Sequence, residues 1–223
     1  VFGFHDAAWA NVSLDQESPD DVVWDTDCKK ASQLASLVMI GDRKCLANQP
    51  GNIGIVDWRS KSSSSRICRS TFAGETMACS DAMESAIYLR GLLLSFLHVG
   101  LVDSAKAREM IPLHLFTDCR SLYDHLHKDG VPKPPTEKRL ALDLAAMRME
   151  LNEEGKAQWK LRYGERAELR PDRPRRPPLH WVPTDRQLAD VLTKRMNPSK
   201  WWDQVASGIL QISLRVWDDT QNT

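Results

Sequence analysis

Long apolar runs are missing from this 223-residue chain. The longest, GLLLSFLHVGLV at 91–102, is interrupted by Ser95 and His98. It falls short of the roughly 20 residues a membrane-spanning helix needs. No secretory signal pattern precedes the first strand-like segment. Cysteine is scarce: Cys28, Cys45, Cys68, Cys79 and Cys119 are odd in number and lack CxxC spacing. That pattern argues against a secreted disulfide framework and a structural zinc site, and points to a reducing compartment. An excess of one charge is lacking too, since 30 acidic residues balance 30 basic ones. No global field therefore marks a polyanionic partner, although a local basic patch can bind nucleic acid on a neutral protein. There is no internal repeat and no initiator Met. The immediate start in a strand leads us to expect a domain cut from a longer polypeptide.

What is present reads as an ordinary globular composition, long enough for one substantial core. VFGFHDAAW at 1–9 reads as a strand, followed by an acidic, turn-rich connection, SLDQESPDDVVWDTD. SQLASLVMIGD and GNIGIVDWRS carry β-branched and apolar residues around the turn cluster NQPGN, giving three sequential antiparallel strands. The period then changes. From Glu75, residues Ala78, Cys79, Ala82, Ala86, Leu89 and Leu93 recur at steps of three or four, one face of a helix to about Leu97. IPLHLFTD predicts a short buried strand, and CRSLYDHLHK and TEKRLALDLAAMRMELNEEG predict helices, the latter stopped at Gly155. QWKLRY is compatible with a strand, whereas ELRPDRPRRPP is a basic, Pro-rich loop that cannot continue a ladder. LHWVP reads as the last strand. TDRQLADVLTKRM carries a capping-box pattern, with Thr184 as N-cap and Gln187 three positions on. The expected class is α/β with a five-stranded mixed sheet and helices on both faces.

Four acids share a kind of position. Asp6 ends the first strand, Glu75 opens the apolar stripe of the first long helix, Asp118 ends the fourth strand, and Asp190 lies in the last main helix. Each has an ordinary reading as well. Asp118 suits an N-cap, Asp190 a surface helix acid, Asp185 first-turn dipole compensation, Glu84 an exposed helix acid and Asp57 a strand edge. Taken together, four carboxylates at element ends would repel one another uncompensated. Hard divalent ions resolve that conflict: Mg²⁺ favours such oxygen ligands, and two ions can clamp an in-line phosphoryl displacement.

HDAAWAN, DWRSKSSSSRICRSTFAGETMACSDAMESAIYLRGLL, LFTDCRSLYDHL and WVPTDRQLADVLTKRM together resemble the ribonuclease H domain of copia-type retrotransposon polyproteins. The resemblance runs from residue 1 to about 200. It implies an RNase H-like fold over 1–200, with a basic Pro-rich insertion at about 156–178. It leaves 201–223 as an extension, a helix plus a short strand or a tail. It implies a D-E-D-D metal site of Asp6, Glu75 (in GETMA), Asp118 and Asp190 (in LADVLTK), holding two Mg²⁺ with Mn²⁺ as a substitute. The implied activity is hydrolysis of the RNA strand of an RNA/DNA hybrid. The implied partner is the reverse transcriptase domain of the same polyprotein, in a cytoplasmic particle or the nucleus. The chain departs from many cellular members of this class: no mobile His follows the last strand, and His180 reads as structural.

Arg59, Lys61, Ser62, Arg66 and Arg69 in WRSKSSSSRICRS are candidates for phosphate and sugar contacts, with a solvated loop as the competing reading. RPDRPRRPP reads as a linker and the Trp pair in SKWWDQ as core packing. An integrase-like nuclease is disfavoured by Asp190 where that class carries Glu. A non-catalytic remnant acting as a binding or tethering module is the alternative function.

Overall fold

The computed structural model describes residues 1–8, 32–62, 68–97, 103–130, 132–164, 176–194 and 196–212. Strands β1 (Phe2–Ala8), β2 (Gln33–Gly41) and β3 (Gly51–Ser62) form the expected antiparallel meander. A bulge between Val38 and Met39 shifts the β2/β3 register. Helix α1 (Thr71–Leu97) follows, then α2 (Ser104–Met110), β4 (His114–Thr117), α3 (Arg120–His127), α4 (Lys138–Tyr163), β5 (Leu179–Trp181), α5 (Ser199–Ala206) and β6 (Ile209–Leu210). Among the described residues the sheet has six strands, in the order β5-β4-β1-β2-β3-β6, not five. β4 joins β1, and β5 joins β4, in parallel, while β6 pairs antiparallel with the start of β3.

Alternation along β1 decides how the layers meet. Gly3, His5 and Ala7 face α1, while Phe2, Phe4 and Asp6 face the other way. Small residues let α1 lie close: a Cβ on Gly74 would come within 3.3 Å of the Ala7 Cβ, and Ala78, Ala82 and Ala86 are fully buried. This first core continues into α3 and α4 through Leu115, Leu122, Leu144, Met147 and Leu151. The opposite face carries Phe4 stacked on Phe116, with Leu37, Met39 and Leu210. It is covered by 3-10 turns at Arg43–Ala47 and Asp190–Leu192 and by Trp201 of α5, whose indole Nε1 donates to the Leu188 carbonyl at 2.8 Å.

Two local expectations fail for tertiary reasons. Gly155 does not stop α4; the helix runs on through QWKLRY to Tyr163, which excludes the strand reading there, and ends at Gly164, where φ is +56°. Gly155 is small because the chain crosses it: a Cβ would lie 2.9 Å from the Arg176 carbonyl oxygen. Over residues 184–194 the chain is not a continuous α-helix but holds two 3-10 turns, Thr184–Arg186 and Asp190–Leu192. Gln187 completes no capping box. Its side chain is buried, donating to the His5 carbonyl at 2.9 Å and accepting from Ala189 N, so it ties this segment to β1. Residues 165–175 of the basic insertion, and the acidic connection within 9–31, lie outside the described residues. Among the described residues, no helix is long and apolar enough to cross a membrane.

Candidate metal site

β1 and β4 run parallel with Phe4 opposite Phe116, so Asp6 and Asp118 emerge side by side where the two strands end. Adjacent strands are about 4.8 Å apart, which brings two carboxylates within reach of one ion. Asp190 arrives from the far end of the chain on its 3-10 turn, which packs against β2 and is pinned by the Ser60 hydroxyl donating to the Leu192 carbonyl. Ligand oxygens of Asp6, Asp118 and Asp190 all lie within 4.8 Å of one another. Asp6 and Asp190 are buried and Asp118 is half-buried. Asp118 is not the N-cap of α3; Cys119 holds that position.

Glu75 stands beside this triad on α1. Its Oε1 accepts from the Ala7 backbone N–H at 3.2 Å, one residue along from Asp6. Its Oε2 is buried without a hydrogen bond, 3.8 Å from the Nδ1 of His5, a fully buried ring that burial keeps neutral with its pKa lowered to about 3. The structure thus joins three of the four predicted acids directly and holds the fourth by a backbone bond to the same strand.

Burial and mutual repulsion dominate the electrostatics. Desolvation raises the Asp190 pKa to about 6, with the charges of Asp6 and Asp118 adding to it and Lys194 opposing it. Desolvation likewise raises Asp6, and it pushes Glu75 well above the usual carboxylate range, helped by Asp6 and Asp118. Thr193 donates its hydroxyl to Asp6 Oδ2. The Lys194 Nζ lies 2.7 Å from Asp190 Oδ2 and 3.9 Å from Asp6 Oδ2. Asp190 Oδ1 is buried with no partner. Crowded carboxylates with unsatisfied oxygens and raised pKa values suit a hard divalent cation, and the three aspartates can hold one. Sequence reasoning missed Thr193, Lys194 and His5 as parts of the site. Only the Asp190–Lys194 spacing carried a signal, and there a helical i,i+4 pair would have looked ordinary.

The predicted substrate contacts are placed differently. Arg59 and Lys61 are exposed on β3, where the register through Ser36 and Leu34 sets them on the α1 side of the sheet, two strands from β1. Arg59 pairs with Asp57 at 3.1 Å and Lys61 with Asp81 of α1 at 2.8 Å. Ser62 ends β3, Arg69 is exposed just before α1, and Arg66 lies outside the described residues. The register places Ser60, Ser62 and the 64 % exposed Trp58 among the β3 residues on Asp6's own face of the sheet. His180 is structural: it stacks on His114 and Phe116, and its ring shares a hydrogen bond with His114 at 3.0 Å. A cleft of about 530 Å³ between α1, α2 and α4 shares no residue with the acids, and its Arg108 is already held bidentate by Glu150.

These features define a mixed α/β domain with a six-stranded sheet and a carboxylate cluster where its central parallel strands end. Comparison with protein-family models, with curated proteins and with solved structures finds no match for the chain.

Proposed function

We propose that this chain has an RNase H-like fold and is a metal-dependent nuclease, hydrolysing the RNA strand of RNA/DNA hybrids. In this reading it is a domain of a copia-type retrotransposon polyprotein, acting beside that polyprotein's reverse transcriptase. One observation carries the proposal: Asp6, Asp118 and Asp190, from segments up to 184 residues apart in sequence, converge within 4.8 Å, with Glu75 bound to the neighbouring backbone. A structural ion pair network does not need three acids against one lysine.

Asp6, Asp118 and Asp190 would hold Mg²⁺, and Glu75, with its free Oε2, extends the cluster toward the two-ion arrangement. Bound there, Mg²⁺ would supply a more acidic water and Lewis-acid stabilisation of phosphate charge. The protein's own work is positional. The Ala7 N–H fixes Glu75, the Thr193 hydroxyl fixes Asp6, and burial of Asp6 and Asp190 keeps bulk water from competing for their oxygens. Trp58, exposed on the same face as Asp6, offers a ring to sugar or base, and such a contact positions a duplex without reading its sequence.

Cleavage of a labelled RNA/DNA hybrid with Mg²⁺ tests the proposal. Asp118→Asn removes charge at the half-buried member of the triad and should cut the rate by at least about 10²-fold, the scale of losing one preorganised electrostatic group. Full activity in that variant, or no Mg²⁺-dependent cleavage by the unmodified protein, overturns it.

A further inference from the structure

Lys194 is the one cation placed on the carboxylate cluster among the described residues, and it does more than decorate the surface. Its partners are nearly withdrawn from water: the side chains of Asp6 and Asp190 are 3 % and 10 % exposed, while the lysine itself is 38 % exposed. An exposed ion pair is worth little, but here the ammonium is the local compensation for acids that burial already disfavours. Asp190 divides its oxygens. Oδ2 takes the ammonium at 2.7 Å, whereas Oδ1 is buried and unpartnered, as is Glu75 Oε2. Those two orphaned oxygens, on residues that are each only 7 % exposed, mark a cluster still short of positive charge after Lys194 has been counted.

We propose that Lys194 is a built-in, displaceable counter-ion of the metal site. It neutralises part of the cluster in the metal-free protein. It is displaced from Asp190 when divalent ions fill the site, and so sets the divalent concentration at which that happens. The inference rests on the metal-site reading of the acids, but not on the nuclease activity. The chemistry is a direct competition: a divalent ion drawing on Asp190 Oδ2 must displace the ammonium at 2.7 Å, and a charge left beside it at 3.9 Å from Asp6 still repels it. Lysine suits such a role because its charge rides on a flexible four-carbon stem, and this one is exposed enough to swing into solvent.

Mn²⁺ binding, followed by the loss of free-ion signal in electron paramagnetic resonance and by calorimetry without nucleic acid, tests the proposal. Lys194→Gln should bind Mn²⁺ about tenfold more tightly than the unmodified protein, a change in the range expected for removing one unit charge a few ångströms away. Lys194→Arg, which keeps the charge, should stay within about twofold. The metal-free Lys194→Gln protein should also melt earlier in EDTA and gain more from Mn²⁺. In the unmodified protein, which avoids any folding defect of a variant, saturating Mn²⁺ should raise the rate at which an acylating reagent labels Lys194, read by mass spectrometry. Unchanged or weaker Mn²⁺ binding in Lys194→Gln overturns the counter-ion role, as does a Lys194 labelling rate that Mn²⁺ leaves unchanged or lowers. Absence of Mn²⁺ binding in every protein overturns it together with the metal site. Tight binding with the expected Lys194 effect but no hybrid cleavage sustains it and sinks only the nuclease reading.

Discussion

Asp190 shows how much one side chain's surroundings set its chemistry. On a solvated helix it would ionise near pH 4; here burial, then Asp6 and Asp118, bring its pKa to about 6. The sign matters for metal binding. A carboxyl whose pKa is raised keeps its proton below that value, so a ligating ion must displace the proton at pH 5 but not at pH 7.5. Glu75 and Asp6 are shifted in the same direction. The rise in melting temperature given by a fixed Mg²⁺ concentration should therefore be small at pH 5 and grow through pH 6 toward pH 7.5. A shift of equal size at both pH values would mean that these carboxyls are not the ligands.

At the scale of elements, α4 carries the clearest trade between local preference and packing. Gly in a helix interior costs about 0.5–1 kcal/mol relative to Ala, so Gly155→Ala would stabilise an isolated helix. In the fold, the new Cβ would sit 2.9 Å from the Arg176 carbonyl oxygen, a backbone atom with little freedom to retreat. The overpacking term should win, and Gly155→Ala should lose about 1–3 kcal/mol in urea unfolding. The neighbouring turn imposes a second constraint, because Glu154 is fully buried and bound to Arg90 of α1. α1 itself answers to two demands: alanines along its buried stripe admit close approach to β1, and Glu75 at its start reaches the Ala7 N–H.

On the scale of the whole molecule, the two faces of the sheet are closed by different means. Long helices cover one. The other depends on irregular segments: the 3-10 turn bearing Asp190, Trp201 of α5, and Leu210 and Ile212 around β6. Ile53 N bonds to the Gly208 carbonyl and Ile212 N to the Cys45 carbonyl, knitting this part into the meander. Removing residues 199–223 should expose Leu37 and Met39 and strip Trp201, Leu210 and Ile212 from the core. At about 1.5–3 kcal/mol per buried apolar side chain, the loss should exceed about 4 kcal/mol and show as a large drop in the urea midpoint. A midpoint within experimental error of the full chain's would show that this face does not need its cover.

What depends on near neighbours is legible in the chain alone. Apolar alternation marked β1–β3, a 3.6-residue period marked α1 and the first two-thirds of α4, and four acids stood out at the ends of elements. Periodicity is a local property, written wherever one face of an element is buried. Tertiary structure decided the rest. Gly155 read as a stop because Gly often ends helices, and only the crossing chain at Arg176 explains it as a close approach. Gln187 reads as the capping-box partner of Thr184, whereas its amide binds β1, and β6 is too short to have a period at all. The convergence of Asp6, Asp118 and Asp190, and the lysine laid across two of them, follow from strand register and from one turn packed on β2, contacts between residues more than 100 positions apart. Local chemistry chose which side chains were available; long-range packing chose which of them met.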